Sequence, residues 1–187
     1  MDTDKIYQRI GEFVVCYQWL EHKFREIGWL ILDPWRKEWP PKQLRKESSE
    51  ELIGKVESLF VDVMSRLDVP DKGERIQTFQ AIVAGSHAMR KYRNNLLHSA
   101  FIELKAGGEI MAIVRSNPKI KIDPTSGDPI FDEEALTEGA IGKKLEELGK
   151  LAFSLSMHYK QLIFWVPFDS RPQFPTNHNP VIGGGPL

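Results

Sequence analysis

Cysteine is nearly absent from this 187-residue chain, since Cys16 is the only one. A disulfide scaffold within one chain is therefore excluded. Cys16 lies inside an apolar stretch with helical spacing, and we interpret it as a small buried hydrophobe rather than a nucleophile. The five histidines show neither the HExxH motif nor a paired-ligand spacing. The sequence therefore predicts no metal site, and nothing in it points to a cofactor.

A strong net charge and a long apolar run are also missing. The chain has 25 Lys and Arg residues against 26 Asp and Glu, which gives a formal net charge of −1. This balance does not favour a general binder of nucleic acids or membrane surfaces, so any contact with RNA must be local. No apolar stretch approaches the roughly 20 residues needed to cross a bilayer, and the first residues do not resemble a signal peptide. We therefore expect a cytoplasmic protein without membrane contact.

The length of the chain and its 41% content of hydrophobic residues suit one domain with a single core. We place this domain at residues 1–166. Residues 167–187 are rich in proline and glycine, a composition that does not build regular structure, and we interpret them as a C-terminal tail.

Hydrophobic periodicity predicts two helices in the first part of the chain. Apolar residues alternate steps of four and three from Ile6 to Ile31, which is the spacing of one helix face, and a proline follows. Ser48 and Glu51 then have the spacing of a capping box at the start of a second amphipathic helix.

Two further helices flank a predicted β-hairpin insert at about residues 100–131. Asp71 is a candidate cap for a third helix that runs to about His98, and Asp132 is one for a fourth helix that extends to Val166. Between them, short apolar runs separated by glycines are typical of a hairpin. The fold class predicted from this order is mainly α, an antiparallel bundle of four main helices with a small β-hairpin between the third and the fourth.

The end of the third helix carries the string Arg93-Asn94-Asn95-Leu96-Leu97-His98. Arginine stays charged and can hold a phosphate through a fork of donors, whereas histidine can move protons near neutral pH. The string resembles the Arg-polar-x-x-x-His signature of the HEPN superfamily (higher eukaryotes and prokaryotes nucleotide-binding domains), many of whose members are RNA-cleaving toxins or antiviral ribonucleases. The resemblance implies that Arg93 and His98 are catalytic and that two protomers pack with both copies of the motif in one cleft.

Other polar residues gather around this motif on the outer face of the third helix. Asn94, His87 and Lys91 share that face with His98, and Arg90 is close by. No acidic residue occurs between Glu74 and Glu103, so this is the local basic patch of the chain. We take these four as candidate substrate-binding residues: Asn94, His87, Lys91 and Arg90.

Helical geometry separates the two catalytic candidates within one chain. Residues five apart point about 140° away from each other, so Arg93 and His98 do not easily converge unless a second subunit contributes one of them. An apolar strip at Ile76, Phe79 and Val83 is consistent with such a homodimer contact. Packing of the same strip against another helix of the chain explains it equally well.

We expect a metal-independent endoribonuclease of the toxin-antitoxin or phage-defence type, with RNA as substrate and an antitoxin protein as a candidate partner. His98 would move the proton of a ribose 2′-hydroxyl, and Arg93 would stabilise charge on the phosphate. The alternative is a non-catalytic helical module for dimerisation or ligand binding. In that case Arg93 pairs with a carboxylate such as Glu21, and His98 closes the end of its helix.

Overall fold

The computed structural model describes residues 2–38, 40–118 and 121–165. This part of the chain contains four long helices, α1 (Thr3–Leu32), α2 (Ser49–Arg66), α3 (Lys72–Leu97) and α4 (Glu138–Trp165), and a 3₁₀ turn at Lys42–Leu44. Five strands lie between α3 and α4, namely β1 (Ala100–Ala106), β2 (Glu109–Ser116), β3 (Lys121–Ile122), β4 (Pro129–Ile130) and β5 (Glu133–Leu136). The predicted mainly α fold, with four main helices and strands after the third, is confirmed. The tail predicted at residues 167–187 and the predicted helix end at Val166 lie outside the described residues.

Local signals determine where the first two helices begin. The side chain of Asp2 accepts a hydrogen bond from the backbone N–H of Lys5, which caps α1. At α2, Ser48 Oγ accepts from the N–H of Glu51, and the Glu51 carboxylate accepts from the N–H of Ser48. The predicted capping box is therefore present.

Contacts between side chains give the directions of the helices. The rings of Phe13 and Phe24 on α1 meet those of Tyr92 and Phe79 on α3, so these two helices run in opposite directions. The antiparallel relation predicted for the bundle holds between α3 and each of the other three helices. In contrast, α1, α2 and α4 run in the same direction, as these pairs indicate: Tyr17 with Ser49, Gly28 with Val56, Arg9 with Glu138, and Lys23 with Tyr159.

Residues 33–48 connect α1 to α2 and run back along α1 from its end towards its middle. Because of this return, α2 can run in the same direction as α1. Arg25 holds this connection through hydrogen bonds from its guanidinium to the carbonyl oxygens of Leu44 at 2.8 Å and Glu47 at 3.3 Å. Leu44 itself is buried against α1, next to Gly28, where a larger residue would collide with it. The chain therefore enters α2 near the middle of α1.

Aromatic rings fill the centre of the bundle. Phe79 stacks on Phe60 of α2 with ring centroids 3.9 Å apart, and both rings contact the edge of His158 on α4. Phe79 and Val83 are buried within one chain. Ile76 is half-buried and packs against the same core. Of the two interpretations of the apolar strip, packing against other helices of the same chain therefore applies, because Phe79 and Val83 have almost no surface left for a dimer contact.

The strands form a larger insert than the predicted hairpin. β1, β2 and β5 make an antiparallel sheet in the order β1-β2-β5, and β3 and β4 form a separate two-stranded pair. The prediction that the insert ends near residue 131 missed β5, because the pairing of β5 with β2 is a contact between residues far apart in sequence. Leu136 of β5 and Ile113 of β2 are buried and join the sheet to the helical core.

Two predicted helix caps differ from expectation. Asp132 does not cap α4, because its carboxylate binds Arg115 instead. The cap of α4 is Thr137, whose hydroxyl accepts a hydrogen bond from the N–H of Ala140. Asp71 does stand at the start of α3, but its backbone is left-handed with φ of 55°, and its side chain makes no capping hydrogen bond.

Candidate functional site

Arg93 lies on α3 where this helix faces α1. Its Cζ is 5.7 Å from the centroid of the Tyr17 ring, and its Nη1 donates a hydrogen bond of 3.0 Å to Asn94 Oδ1. Its Nε is buried and has no hydrogen-bond partner among the described residues. The guanidinium is therefore held by an aromatic surface and one amide, and part of its donor capacity is unused.

The support beneath Arg93 is itself fixed by packing. Tyr17 is fully buried, and its hydroxyl is 2.7 Å from Ser49 Oγ at the start of α2. Burial raises the pKa of Tyr17, so that its phenol stays neutral beside the cation. The guanidinium thus rests on a ring of α1 that α2 in turn holds in place. No local pattern in the sequence predicts this contact, because Tyr17 occupies a position of the α1 core stripe.

The carboxylate expected to neutralise Arg93 is engaged elsewhere. Glu21 forms an ion pair of 3.0 Å with Arg25 on its own helix. The prediction of an Arg93–Glu21 salt bridge is therefore wrong, since a cation one turn away on α1 reaches Glu21 more easily than one on α3. Arg90 is the neutralised residue of the patch, because its Nη1 lies 3.0 Å from Glu50 Oε2 on α2.

His98 is the C-cap that directly follows α3, and it has a different environment from Arg93. Its backbone N–H donates to the carbonyl of Asn94 at 3.0 Å, which closes the helix. Its side chain is exposed and forms no hydrogen bond or ion pair within the described residues. Solvent can therefore reach the imidazole at the end of α3.

Within one protomer, the structure does not join Arg93 and His98 by a direct contact. Asn94 links them indirectly, because its side chain accepts from Arg93 and its carbonyl accepts from His98. Of the other predicted site residues, Lys91 is exposed and His87 is half-buried, on the same outer face as His98. The face accordingly presents two imidazoles and one ammonium group to solvent.

A buried arginine of the sheet fixes the chain directly after His98. Ser99 Oγ donates to the carbonyl of Asn95 at 2.6 Å and accepts from Arg115 Nη1 at 3.2 Å. Arg115 also binds Asp132 and Glu134. Burial alone would lower the pKa of Arg115, but the two carboxylates outweigh it and raise the pKa. Sequence reasoning missed this residue, because a single arginine in a strand reads as an exposed position.

Comparisons of this chain with family models, with curated proteins and with solved structures found no match. In the described part of the chain, none of the helices has an apolar segment long enough to cross a lipid bilayer. The same residues contain no cluster of three His, Cys, Asp or Glu side chains with the geometry of a metal site. The assignment of a function therefore depends on the chemistry of the end of α3.

Proposed function

We propose that this protein is a metal-independent endoribonuclease that works as a homodimer. One observation carries the proposal: the end of α3 combines a supported guanidinium that has an unused donor with an exposed imidazole. An imidazole can act as the general acid or base, and a guanidinium can stabilise charge on the phosphate, so the two groups suit phosphodiester cleavage without a metal. The segment from Arg93 through His98 resembles the HEPN signature, and this resemblance supports the same class of protein.

The reaction is a transesterification, in which the phosphoryl group is transferred from the 5′-oxygen of the next nucleotide to the ribose 2′-oxygen. The ribose 2′-oxygen attacks phosphorus, the bond from phosphorus to the 5′-oxygen breaks, and the products are a 2′,3′-cyclic phosphate and a 5′-hydroxyl. His98 takes the proton of the 2′-hydroxyl or gives one to the leaving oxygen. Arg93 stabilises the negative charge that accumulates on the phosphate oxygens in the transition state.

A second protomer supplies the missing half of the site. Because the imidazole and the guanidinium of one chain point apart, the active cleft pairs His98 of one protomer with Arg93 of its partner. Asn94 holds Arg93 in orientation, while Lys91 and His87 contact the RNA backbone. Arg90 contributes less, since Glu50 neutralises it. A protein that cuts cellular RNA needs control, which fits a toxin or a phage-defence factor with an antitoxin partner.

Product analysis on purified protein tests the proposal. Wild type should cut single-stranded RNA in the presence of EDTA and leave 2′,3′-cyclic phosphate ends. His98→Ala should reduce the rate by about 10²–10⁴-fold, and Arg93→Ala by about 10²–10³-fold. His22→Ala is the matched control, because this histidine is also exposed but lies on α1, and it should leave the rate unchanged.

A substrate with one 2′-deoxyribose at the cleavage position gives the sharpest outcome. The mechanism requires that this bond resists, because its nucleophile is absent. Equal cleavage of DNA and RNA, or equal rates for wild type and His98→Ala, would rule the mechanism out.

The second candidate is a non-catalytic module for dimerisation or ligand binding. The packing of Arg93 on the buried Tyr17 favours it, because such a contact also stabilises the bundle without chemistry. Expression in a host cell separates the two functions. Growth arrest that His98→Ala relieves supports the nuclease, whereas equal growth with both versions supports the module.

A further inference from the structure

The first strand of the sheet has a free edge. In the order β1-β2-β5, β1 is an outer strand, and within the described residues no other strand pairs with its second edge. Almost every residue of β1 is exposed. An exposed edge with unpaired N–H and C=O groups is a template on which another strand can add.

The two faces of β1 have different chemistry. Phe101 packs against Tyr7 of α1, and Glu103 and Lys105 follow it on that face. The opposite face carries Ile102 and Leu104, which are 44% and 49% exposed. These apolar side chains continue the outer face of β2, where Ala112 and Val114 pair with them. The apolar side chains of this face are thus half-buried on β2 and exposed on β1, at the free edge of the sheet.

The irregularity of the hairpin does not interrupt β1. Leu104 pairs with Ala112 and Lys105 pairs with Ile110, so the extra residue, Met111, belongs to β2. β1 therefore keeps its alternation along its whole length, and its edge is regular enough to accept a partner strand.

We infer that β1 of a second copy of this chain pairs with β1 in antiparallel fashion, about a two-fold axis that passes at Leu104. In this register Glu103 of each copy faces Lys105 of the other, on both sides of the axis. The two Leu104 side chains meet on the apolar face, and the two three-stranded sheets become one sheet of six strands. Opposite charges placed directly across a strand pair stabilise it, whereas like charges destabilise it.

The charge pattern is what identifies a second copy as the occupant. Glu103 and Lys105 lie on either side of Leu104. A rotation of the strand by 180° about an axis at Leu104 therefore places each charge opposite its counterpart of the other sign. Within one chain the two residues form an ion pair of 3.3 Å, and the exposure of both makes it weak. In the dimer, the two pairs within the chains are exchanged for two pairs across the strands, so no charge interaction is lost and the two Leu104 side chains come into contact.

This contact is separate from the cleft of the proposed nuclease. Ala100, where β1 begins, precedes Leu104 by four residues, so an axis at Leu104 puts the two copies of Ala100 roughly 25 Å apart along the strands. His98 lies before Ala100 in each copy and is therefore remote from the axis. The inference therefore holds whether or not the protein cleaves RNA.

Complementary charge reversals test the pairing in the full-length chain. Glu103→Lys places Lys against Lys across the axis, and Lys105→Glu places Glu against Glu, so each variant alone should lose the contact. A mixture of the two variants should restore it, and so should the double variant Glu103→Lys/Lys105→Glu. The measurement is mass by light scattering across a concentration series, with circular dichroism as the check on folding. Unchanged assembly in both single variants would overturn the inference.

A disulfide across the axis gives an independent readout. In a Cys16→Ser background, Leu104→Cys should form a covalent dimer on mild oxidation, because residues that face each other across paired strands lie within disulfide distance. Met111→Cys is the matched control, since Met111 is 63% exposed but lies on β2, away from the axis. Equal cross-linking of the two variants, or none for Leu104→Cys, contradicts the register.

Discussion

Replacement of Arg115 by leucine should destabilise the protein more than the loss of any surface ion pair. The Arg115 side chain is 5% exposed and binds two carboxylates, Asp132 at 2.9 Å and Glu134 at 3.2 Å. Leucine fills the buried part of the space but leaves both carboxylates without their cation. Because the removal of one member of a buried ion pair leaves uncompensated charge, the cost exceeds the value of the pair itself.

The exposure of the partners sets the magnitude. Loss of one partner of a fully buried pair costs about 3–5 kcal/mol. Here the carboxylates of Asp132 and Glu134 remain 33% and 40% exposed, so water compensates part of the loss. We therefore expect Arg115→Leu to lower the free energy of unfolding by about 2–3 kcal/mol.

Urea unfolding followed by circular dichroism measures this difference. The control is Arg66→Leu, which removes a pair with Asp62 whose side chains are 76% and 51% exposed. That change should cost less than about 0.5 kcal/mol. If Asp132→Asn and Glu134→Gln are added to Arg115→Leu, part of the stability should return. Equal midpoints for Arg115→Leu and Arg66→Leu would refute the reasoning.

Three further changes probe the core, a buried phenol and a helix cap. Phe79→Ala removes the central ring and should lower the free energy of unfolding by about 3–5 kcal/mol in the same urea assay; a loss below about 1 kcal/mol would contradict the stacked core. Burial raises the pKa of Tyr92 to about 12 from its ordinary 10, so its contribution is complete below pH 10 and is lost as the pH rises through 12. Tyr92→Phe should lack this part of the alkaline destabilisation. If the free energy of unfolding depends on pH identically in both proteins, a contribution from the Tyr92 phenol is excluded. The backbone hydrogen bond from Ser48 lowers the pKa of Glu51, so its contribution is present at neutral pH and is lost as the pH falls through the lowered pKa. The stability difference between wild type and Glu51→Ala should therefore shrink in acid; a difference that is constant with pH would argue against the carboxylate as its source.

The sequence predicts the helices well because their signals are local. The unbroken four-three spacing of α1 and the capping box of α2 each depend on residues within a few positions of one another. The predicted start of α4 was wrong because it depends on a contact that is not local. Asp132 has the composition of a cap, yet a buried arginine of another strand binds it, and a single sequence does not reveal such a long-range contact.

One part of the candidate site could be predicted from local sequence, and the other depends on contacts between distant residues. The exposure of His98 follows from its position at the end of a helix opposite the core stripe, and the structure agrees. The surroundings of Arg93 depend on which residue of α1 lies next to it, and the helical pattern suggested Glu21 where the structure has Tyr17. The catalytic roles of Arg93 and His98 stay a prediction until cleavage is measured.

The shared direction of α1 and α4 has a consequence for the order of events during synthesis. α1 packs extensively on α4, the last described helix to leave the ribosome, and Arg9 meets Glu138 across this contact. The part of the apolar stripe of α1 that packs on α4 therefore stays uncovered until almost the whole domain has been translated, and contacts between residues so far apart in sequence form slowly. A nascent chain that still lacks α4 would consequently expose part of the apolar stripe of α1, and exposed apolar surface makes a partly folded chain prone to aggregation.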